Sequence, residues 1–153
     1  MYRKILVPVE NSPFDDAIID HVRELARLCN SSVVLIHVAD GWAARNIAQL
    51  DLRESEEMKQ DHAYLERLAE ELEADGLDAE ALLASGDPAA EISEAAAREG
   101  CDLIAMSTHG HKIIGDILLG SVAHDVRHAS HIPVLLVRGN PRGRPGRQGG
   151  GPG

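Results

Sequence analysis

The chain has 153 residues, enough for one domain of ordinary size built around a single hydrophobic core. Its 25 acidic residues against 15 lysines and arginines give a formal net charge of -10, and a polyanion is repelled by such a mean field. This argues against a general surface for nucleic acid or an anionic membrane. No segment approaches the roughly 20 apolar residues of a membrane span, and the N-terminus lacks a leader pattern, so we expect a soluble, cytoplasmic protein.

Short aliphatic runs alternate with helical patterns along the first half of the chain. The first run, Lys4 to Val9, ends in the turn ENSP and precedes apolar residues at helical spacing between Ala17 and Cys29. A second β-branched run, Ser31 to Val38, is followed by a long helical stripe from Met58 to Leu72 that ends before Gly76. Each pair predicts a strand followed by a helix.

The second half continues this alternation. Asp78 to Ala84 is the weakest predicted strand, and the next helix has Asp87 as its N-cap, Pro88 in its first turn and Gly100 at its end. Cys101 to Ser107 and the segment HIPVLLVR supply the last two strands. The whole pattern predicts a single α/β domain over residues 1–138, with a parallel sheet and helices on both faces. Residues 139–153 contain no apolar side chain and predict a disordered tail rich in glycine, proline and arginine.

Neither the cysteines nor the histidines predict a metal site. Cys29 and Cys101 lie far apart without a CxxC spacing, which indicates two buried, reduced thiols. His124 and His128 are four residues apart, and the spacing alone permits zinc or nickel. No cysteine or carboxylate ligand is in register with them, so surface or capping histidines are favoured, here as for the neighbouring His109, His111 and His131.

Ligands of an open parallel sheet bind beyond the carboxyl ends of its strands. The turns after the first, second and fourth strands read VENS, HVADG and STHGH. The glycine turn at Gly110, together with a helix expected to start at Gly120 and Ser121, would direct backbone N–H groups at an anion. Gly110 and Gly115 have the gap of a P-loop, but Asp116 stands where that motif requires lysine, which excludes it.

A different spacing does fit this segment. Gly110 is followed by nine residues and then by Gly120 and Ser121. Together with ILVPVENSP, VVLIHV, GDPAAEI and LLGSVAHDVRHASHIPVLLV, this spacing resembles the universal stress proteins over nearly all of the chain before the tail. Members of that family that bind ATP carry Gly, two residues, Gly, nine residues, then Gly and Ser or Thr. The resemblance leads us to expect a five-stranded doubly wound sheet in the order 3-2-1-4-5.

The resemblance also implies where ATP would bind. Gly110, Gly120, Ser121 and Val122 match the family's phosphate and ribose contacts, and Pro8, Glu10 and Val38 match the adenine end. Lys112 either reaches the outer phosphates or is a solvated loop lysine, and any Mg²⁺ would arrive with the nucleotide. The full set of candidate site residues is Pro8, Val9, Glu10, Val38, Met106, Ser107, His109, Gly110, Lys112, Gly120, Ser121 and Val122.

Three residues depart from the family pattern and leave a second hypothesis open. Ser107 stands where the signature begins with glycine, Glu10 where aspartate is usual, and Asp116 adds a negative charge. The chain is therefore either an ATP-binding regulatory module of the stress response or an interaction module without nucleotide. A weak ATPase or self-phosphorylating protein is a third hypothesis, although no spacing places a base beside Ser107 or Ser121, and we assign no catalytic residue.

The last strand predicts a partner. Pro133 to Val137 is an apolar run that lies at a sheet edge in the expected order, and an uncovered edge strand invites pairing. The resemblance implies a homodimer through this strand. A protein partner beyond the second copy is not identified by any motif.

Overall fold

The fold is described from a computed structural model that covers residues 1–40, 47–108 and 116–139, with side chains over 1–39, 56–108 and 122–139. Five strands and four helices alternate in these ranges. In chain order they are β1 (Lys4–Pro8), α1 (Asp15–Cys29), β2 (Ser32–Asp40), α2 (Ile47–Ala74), β3 (Asp78–Gly86), α3 (Pro88–Arg98), β4 (Leu103–Ser107), α4 (Asp116–Ala129) and β5 (Val134–Val137).

The strands form one parallel sheet in the order β3-β2-β1-β4-β5, which confirms the predicted fold. In the register of the sheet, Ile5 of β1 lies between Val33 of β2 and Leu103 of β4. The chain moves outward from β1 to β3 and then returns to the other side of β1. The order of the strands therefore reverses at β1, and ligands of such sheets bind in the crevice outside the carboxyl ends of the strands at this point.

Both faces of the sheet are buried, because helices cover each of them, and the residues of each strand alternate between the two faces. On β1, Ile5 and Val7 face a core formed with α1 and α2, whereas Leu6 faces a second core formed with α3 and α4. Burial on both sides explains why the strands are continuous aliphatic runs rather than alternating ones. None of the described helices is long and apolar enough to cross a membrane.

The start of α3 follows the signals in the sequence. The Asp87 carboxylate accepts a hydrogen bond from the Ala90 N–H at 3.0 Å, and Pro88 occupies the first turn, as predicted. Immediately before the cap, Gly86 has φ +137°, a backbone conformation that side chains disfavour. A Cβ built there would lie 2.7 Å from Glu91 Oε1. The glycine therefore allows the chain to turn from β3 into α3.

Two expectations from the sequence are corrected. The helix α4 begins at Asp116, so Gly120 and Ser121 lie within it and the prediction that they start the helix is wrong. An acidic residue is favoured at a helix N-terminus, and the leucines that follow it are strong helix formers. Cys101 is buried as expected, but Cys29, at the last position of α1, is only partly buried. The predicted tail beyond residue 139 lies outside the described residues.

Candidate functional site

A pocket opens beyond the carboxyl ends of β1, β2 and β4, at the reversal of the strand order. Its volume is about 170 Å³, whereas a single water requires about 10–15 Å³. The pocket is therefore large enough for an organic ligand group. The described residues that line it are Pro8, Val9, Glu10, Asp15, Ile36, His37, Val38, Pro88, Ile92, Met106, Ser107 and Val122.

The pocket brings together seven of the twelve candidate site residues: Pro8, Val9, Glu10, Val38, Met106, Ser107 and Val122. Gly120 and Ser121 precede Val122 in α4, within the part of the helix whose side chains are not described. His109, Gly110 and Lys112 lie outside the described residues. The structure thus gathers the residues assigned to the base end, and their role in binding stays a prediction.

Asp15 fixes the loop of residues 9–14, hereafter the pocket loop. Its side chain is almost completely buried, and its carboxylate accepts hydrogen bonds from the N–H groups of Glu10 at 3.0 Å and Ser12 at 3.1 Å. The Tyr64 hydroxyl of α2 donates to the same carboxylate at 2.6 Å. Burial raises the pKa of Asp15, and these hydrogen bonds oppose the rise. Asp15 therefore connects the pocket loop to α1 and α2.

His37 makes a second connection between the pocket loop and α2. Its Nδ1 lies 2.9 Å from the Val9 carbonyl oxygen, and its Nε2 lies 3.2 Å from Asp61 Oδ2. The other oxygen of Asp61 accepts a hydrogen bond from the Asn11 side-chain amide at 3.1 Å. Asn11 has φ +60°, the left-handed conformation that asparagine tolerates well in tight turns. The pocket loop is thus anchored to α2 at both Val9 and Asn11.

Three backbone N–H groups of the pocket loop donate hydrogen bonds within the protein. The Val9 N–H donates to the Ile36 carbonyl at 2.8 Å, and the N–H groups of Glu10 and Ser12 donate to Asp15. Pro8 has no N–H to offer. A carbonyl oxygen has two lone pairs, so the Val9 carbonyl can accept a hydrogen bond from a ligand, whereas these three N–H groups are already engaged. The pocket is also lined by apolar side chains from α3, β4 and α4, namely Ile92, Met106 and Val122.

The sequence reasoning missed five lining residues: Asp15, Ile36, His37, Pro88 and Ile92. The acid pair Asp15 and Asp16 after the turn ENSP was a visible helix-start signal, although nothing local showed that Asp15 turns inward. Pro88 and Ile92 are four residues apart on α3 and share one face of it, so helical spacing alone links them. Their approach to β1 depends on the tertiary arrangement.

Within the described ranges, no group of three or more His, Cys, Asp or Glu side chains is arranged to hold a metal ion. The rings of His124 and His128 pack edge to face with their centroids 4.3 Å apart, on an exposed part of α4.

Tyr64, whose hydroxyl donates to Asp15, also has a raised pKa. Burial, together with the charge of Asp15, raises the pKa of Tyr64 and keeps its hydroxyl a donor.

Comparisons with known proteins agree with this architecture. The sequence model of the universal stress protein family matches residues 1–138. The chain is 32% identical to universal stress protein MJ0577 of Methanocaldococcus jannaschii, over 90% of this chain and 96% of that protein. It is 28% identical to universal stress protein YxiE of Bacillus subtilis, over 90% of this chain and all of that protein.

Solved structures show the same fold. The structure of MJ0577 superimposes with a TM-score of 0.77 at 31% identity, covering 92% of this chain and 98% of that one. A universal stress protein in complex with cAMP has a TM-score of 0.67 at 22% identity, covering 90% of this chain and 97% of that one. The family match and the curated relatives lead to one conclusion: the chain belongs to the universal stress protein family.

Proposed function

We propose that this universal stress protein binds an adenine nucleotide, ATP in the first place, and acts as a cytoplasmic regulatory homodimer. Nucleotide state would change its partners or its stability, and turnover would be at most slow. The observation that carries the proposal is the pocket beyond β1, β2 and β4, lined by the residues that the family resemblance assigns to the base end. Proteins of this fold have been solved in complex with cAMP and with dAMP, which supports an adenine ligand.

The polarity of the pocket loop favours adenine over guanine. Its described wall offers carbonyl acceptors, because the N–H groups of Val9, Glu10 and Ser12 already donate within the protein. Adenine presents an exocyclic amine as a donor, whereas guanine presents a carbonyl oxygen at the corresponding position. A guanine base against this wall would leave an acceptor facing acceptors. We therefore expect ATP to bind more tightly than GTP.

The phosphate end of the proposal rests on the residues beside Val122. Because α4 begins at Asp116, Gly120 and Ser121 lie beyond its first turn, where the positive partial charge of a helix N-terminus has fallen off, so their assignment to the phosphates comes from the family resemblance. Gly110 and Lys112 are the proposed contacts from the preceding segment. Mg²⁺ accompanying ATP would be held mainly by phosphate oxygens and water, because no described cluster of protein ligands offers a cage for it.

Calorimetric titration with Mg-ATP and Mg-GTP tests the proposal, after any nucleotide carried through purification has been identified by chromatography. Val122→Trp should fill the pocket and weaken ATP binding at least about tenfold, the effect of roughly 1.4 kcal/mol. His124→Trp, on the exposed side of the same helix, is the matched control and should bind normally. No released nucleotide and no heat on titration would refute the proposal.

The alternative function is an interaction module without nucleotide. It is favoured by Glu10 and Ser107, which depart from the family pattern and both line the pocket. Absence of binding by both Mg-ATP and Mg-GTP in the titration would support this alternative. Slow ATP hydrolysis or self-phosphorylation is tested separately by following radiolabelled γ-phosphate, whose retention on ATP for hours would exclude both.

The homodimer is proposed through β5. This strand lies at an edge of the sheet, and Leu136 within it is 42% exposed, a large apolar side chain that a partner strand would cover. Light scattering at micromolar concentration should give twice the mass of the chain. Leu136→Lys should shift the mass toward that of a monomer, and a monomeric wild-type protein would refute this part of the proposal.

A further inference from the structure

The His37 ring lies between two hydrogen-bond acceptors. Its Nδ1 is 2.9 Å from the Val9 carbonyl oxygen, and its Nε2 is 3.2 Å from Asp61 Oδ2. A carbonyl oxygen and an ionised carboxylate both accept hydrogen bonds and donate none. A neutral imidazole carries a single N–H, so it can donate to only one of these partners. Both contacts are hydrogen bonds only when the ring carries both protons.

Little water is available to replace a lost contact. The side chain of His37 is 16% exposed and that of Asp61 is 21% exposed. The other titratable groups near this ring are Glu10 and Asp15, which line the same pocket, and Tyr64 of α2, whose hydroxyl donates to Asp15. A deprotonated ring would place a nitrogen lone pair against an oxygen in a site that is mostly closed to solvent, and an unsatisfied buried group is costly.

We propose that His37, held by Asp61, is a positioning residue of the nucleotide pocket, and that its doubly protonated form favours binding. The inference rests on the proposed function. The ring holds the carbonyl of Val9, which lines the pocket, and the carboxylate of Asp61 holds Asn11 at the far side of the same turn. Loss of the proton removes one of these connections and loosens the wall against which the base packs.

The sign of the pH dependence follows from this arrangement. The doubly protonated ring holds both Val9 and Asp61, whereas the neutral ring holds only one of them, so the positioning weakens as the pH is raised. ATP affinity should therefore be at least about tenfold weaker at about pH 8.5 than at about pH 5.5, which is near the lower end of what one hydrogen bond to a charged group contributes. Calorimetric titrations across this range measure the effect.

Asp61→Asn is the decisive variant. Its side-chain amide can donate to the unprotonated Nε2 of a neutral His37, while its oxygen still accepts from Asn11. The variant should keep its affinity at the upper pH, so the ratio of its binding constant to that of the wild type should rise with pH. ATP itself titrates near this range, but its contribution is the same for both proteins and cancels in the ratio.

His62→Gln is the matched control. His62 also faces a carboxylate, with Nε2 3.3 Å from Glu66 Oε1, but this pair lies on the exposed side of α2. The ATP affinity of His62→Gln should follow the same pH profile as that of the wild type. His37→Gln should bind more weakly at low pH with a flattened profile. Thermal unfolding of each variant establishes that it is folded at the pH values used.

The outcomes separate the two proposals. Absence of ATP binding at every pH overturns the proposed function and this inference with it. Binding by the wild type with an unchanged Asp61→Asn to wild-type ratio across the range overturns the positioning role alone. As an independent readout, the ¹³C and ¹⁵N chemical shifts of the His37 ring should show a doubly protonated imidazole at low pH, and a ring that stays neutral there refutes the inference.

Discussion

Replacing Tyr64 by phenylalanine removes the donor that reaches the buried carboxylate of Asp15 from α2. The Tyr64 hydroxyl lies 2.6 Å from Asp15 Oδ2. Because Asp15 is only 2% exposed, water cannot readily replace the lost hydroxyl as a donor. A hydrogen bond to a charged group contributes about 1.5–3 kcal/mol. We therefore expect Tyr64→Phe to lower the free energy of unfolding at pH 7 by this amount, measured by urea denaturation.

The pH dependence of this loss provides the stricter test. Burial raises the pKa of Asp15 above its ordinary value, so the stability contributed by this group is present at acid pH and lost as pH rises through the folded-state pKa. Without the hydroxyl the pKa rises further, and the cost of ionisation grows. The difference between wild type and variant should be smaller at acid pH, where the bond joins two neutral groups. An equal difference at both pH values, or a loss below about 0.5 kcal/mol at pH 7, would refute the reasoning.

Three further predictions concern the ends of elements and the thiols. Gly86→Ala should lower the free energy of unfolding by about 1–3 kcal/mol, because φ is +137° and the new Cβ meets Glu91; an unchanged urea midpoint would contradict this. Asp87→Ala should cost about 1 kcal/mol through loss of the N-cap, while Asp87→Ser should retain most of the stability in the same assay. Burial raises the pKa of Cys101 to about 11, so at pH 8 a thiol reagent should modify Cys29 first, and equal rates would show that the burial is not maintained.

The fold was predictable because its determinants are local in the sequence. The strands β1, β2 and β4 are buried on both faces and read as continuous aliphatic runs, and α3 carries its own start signals at Asp87 and Pro88. The weakest predicted strand, β3, is an edge strand whose residues are mostly half-buried or exposed, which explains its weak pattern. The start of α4 was misplaced because Gly120 resembled a boundary, although a helix tolerates an interior glycine at a cost of about 1 kcal/mol.

The candidate site was predictable only in part, because its polar framework joins distant segments. The topology rule indicated the turns after β1, β2 and β4, and the pocket lies there. The contacts that shape its wall connect His37 to Val9 across 28 residues and Tyr64 to Asp15 across 49 residues. No spacing within one helix or strand encodes such pairs. The apolar stripe of α2 indicated that this helix packs on the sheet, but not that its Tyr64 would reach the pocket loop.

Ser107 decides how much the departure from the family signature matters. It is the last residue of β4, it is paired with Val137 of β5, and it has an ordinary strand backbone, since only Asn11 and Asn30 among the described non-glycine residues have positive φ. The glycine of the signature is therefore not needed here to relieve the backbone, and Ser107→Gly should lower stability by about 0.5–1 kcal/mol through the entropy of the unfolded chain. Because a pocket of about 170 Å³ is present with Ser107 on its wall, ATP affinity should change by less than about twofold. Tighter binding by tenfold in the same calorimetric titration would instead show that the serine side chain crowds the ligand.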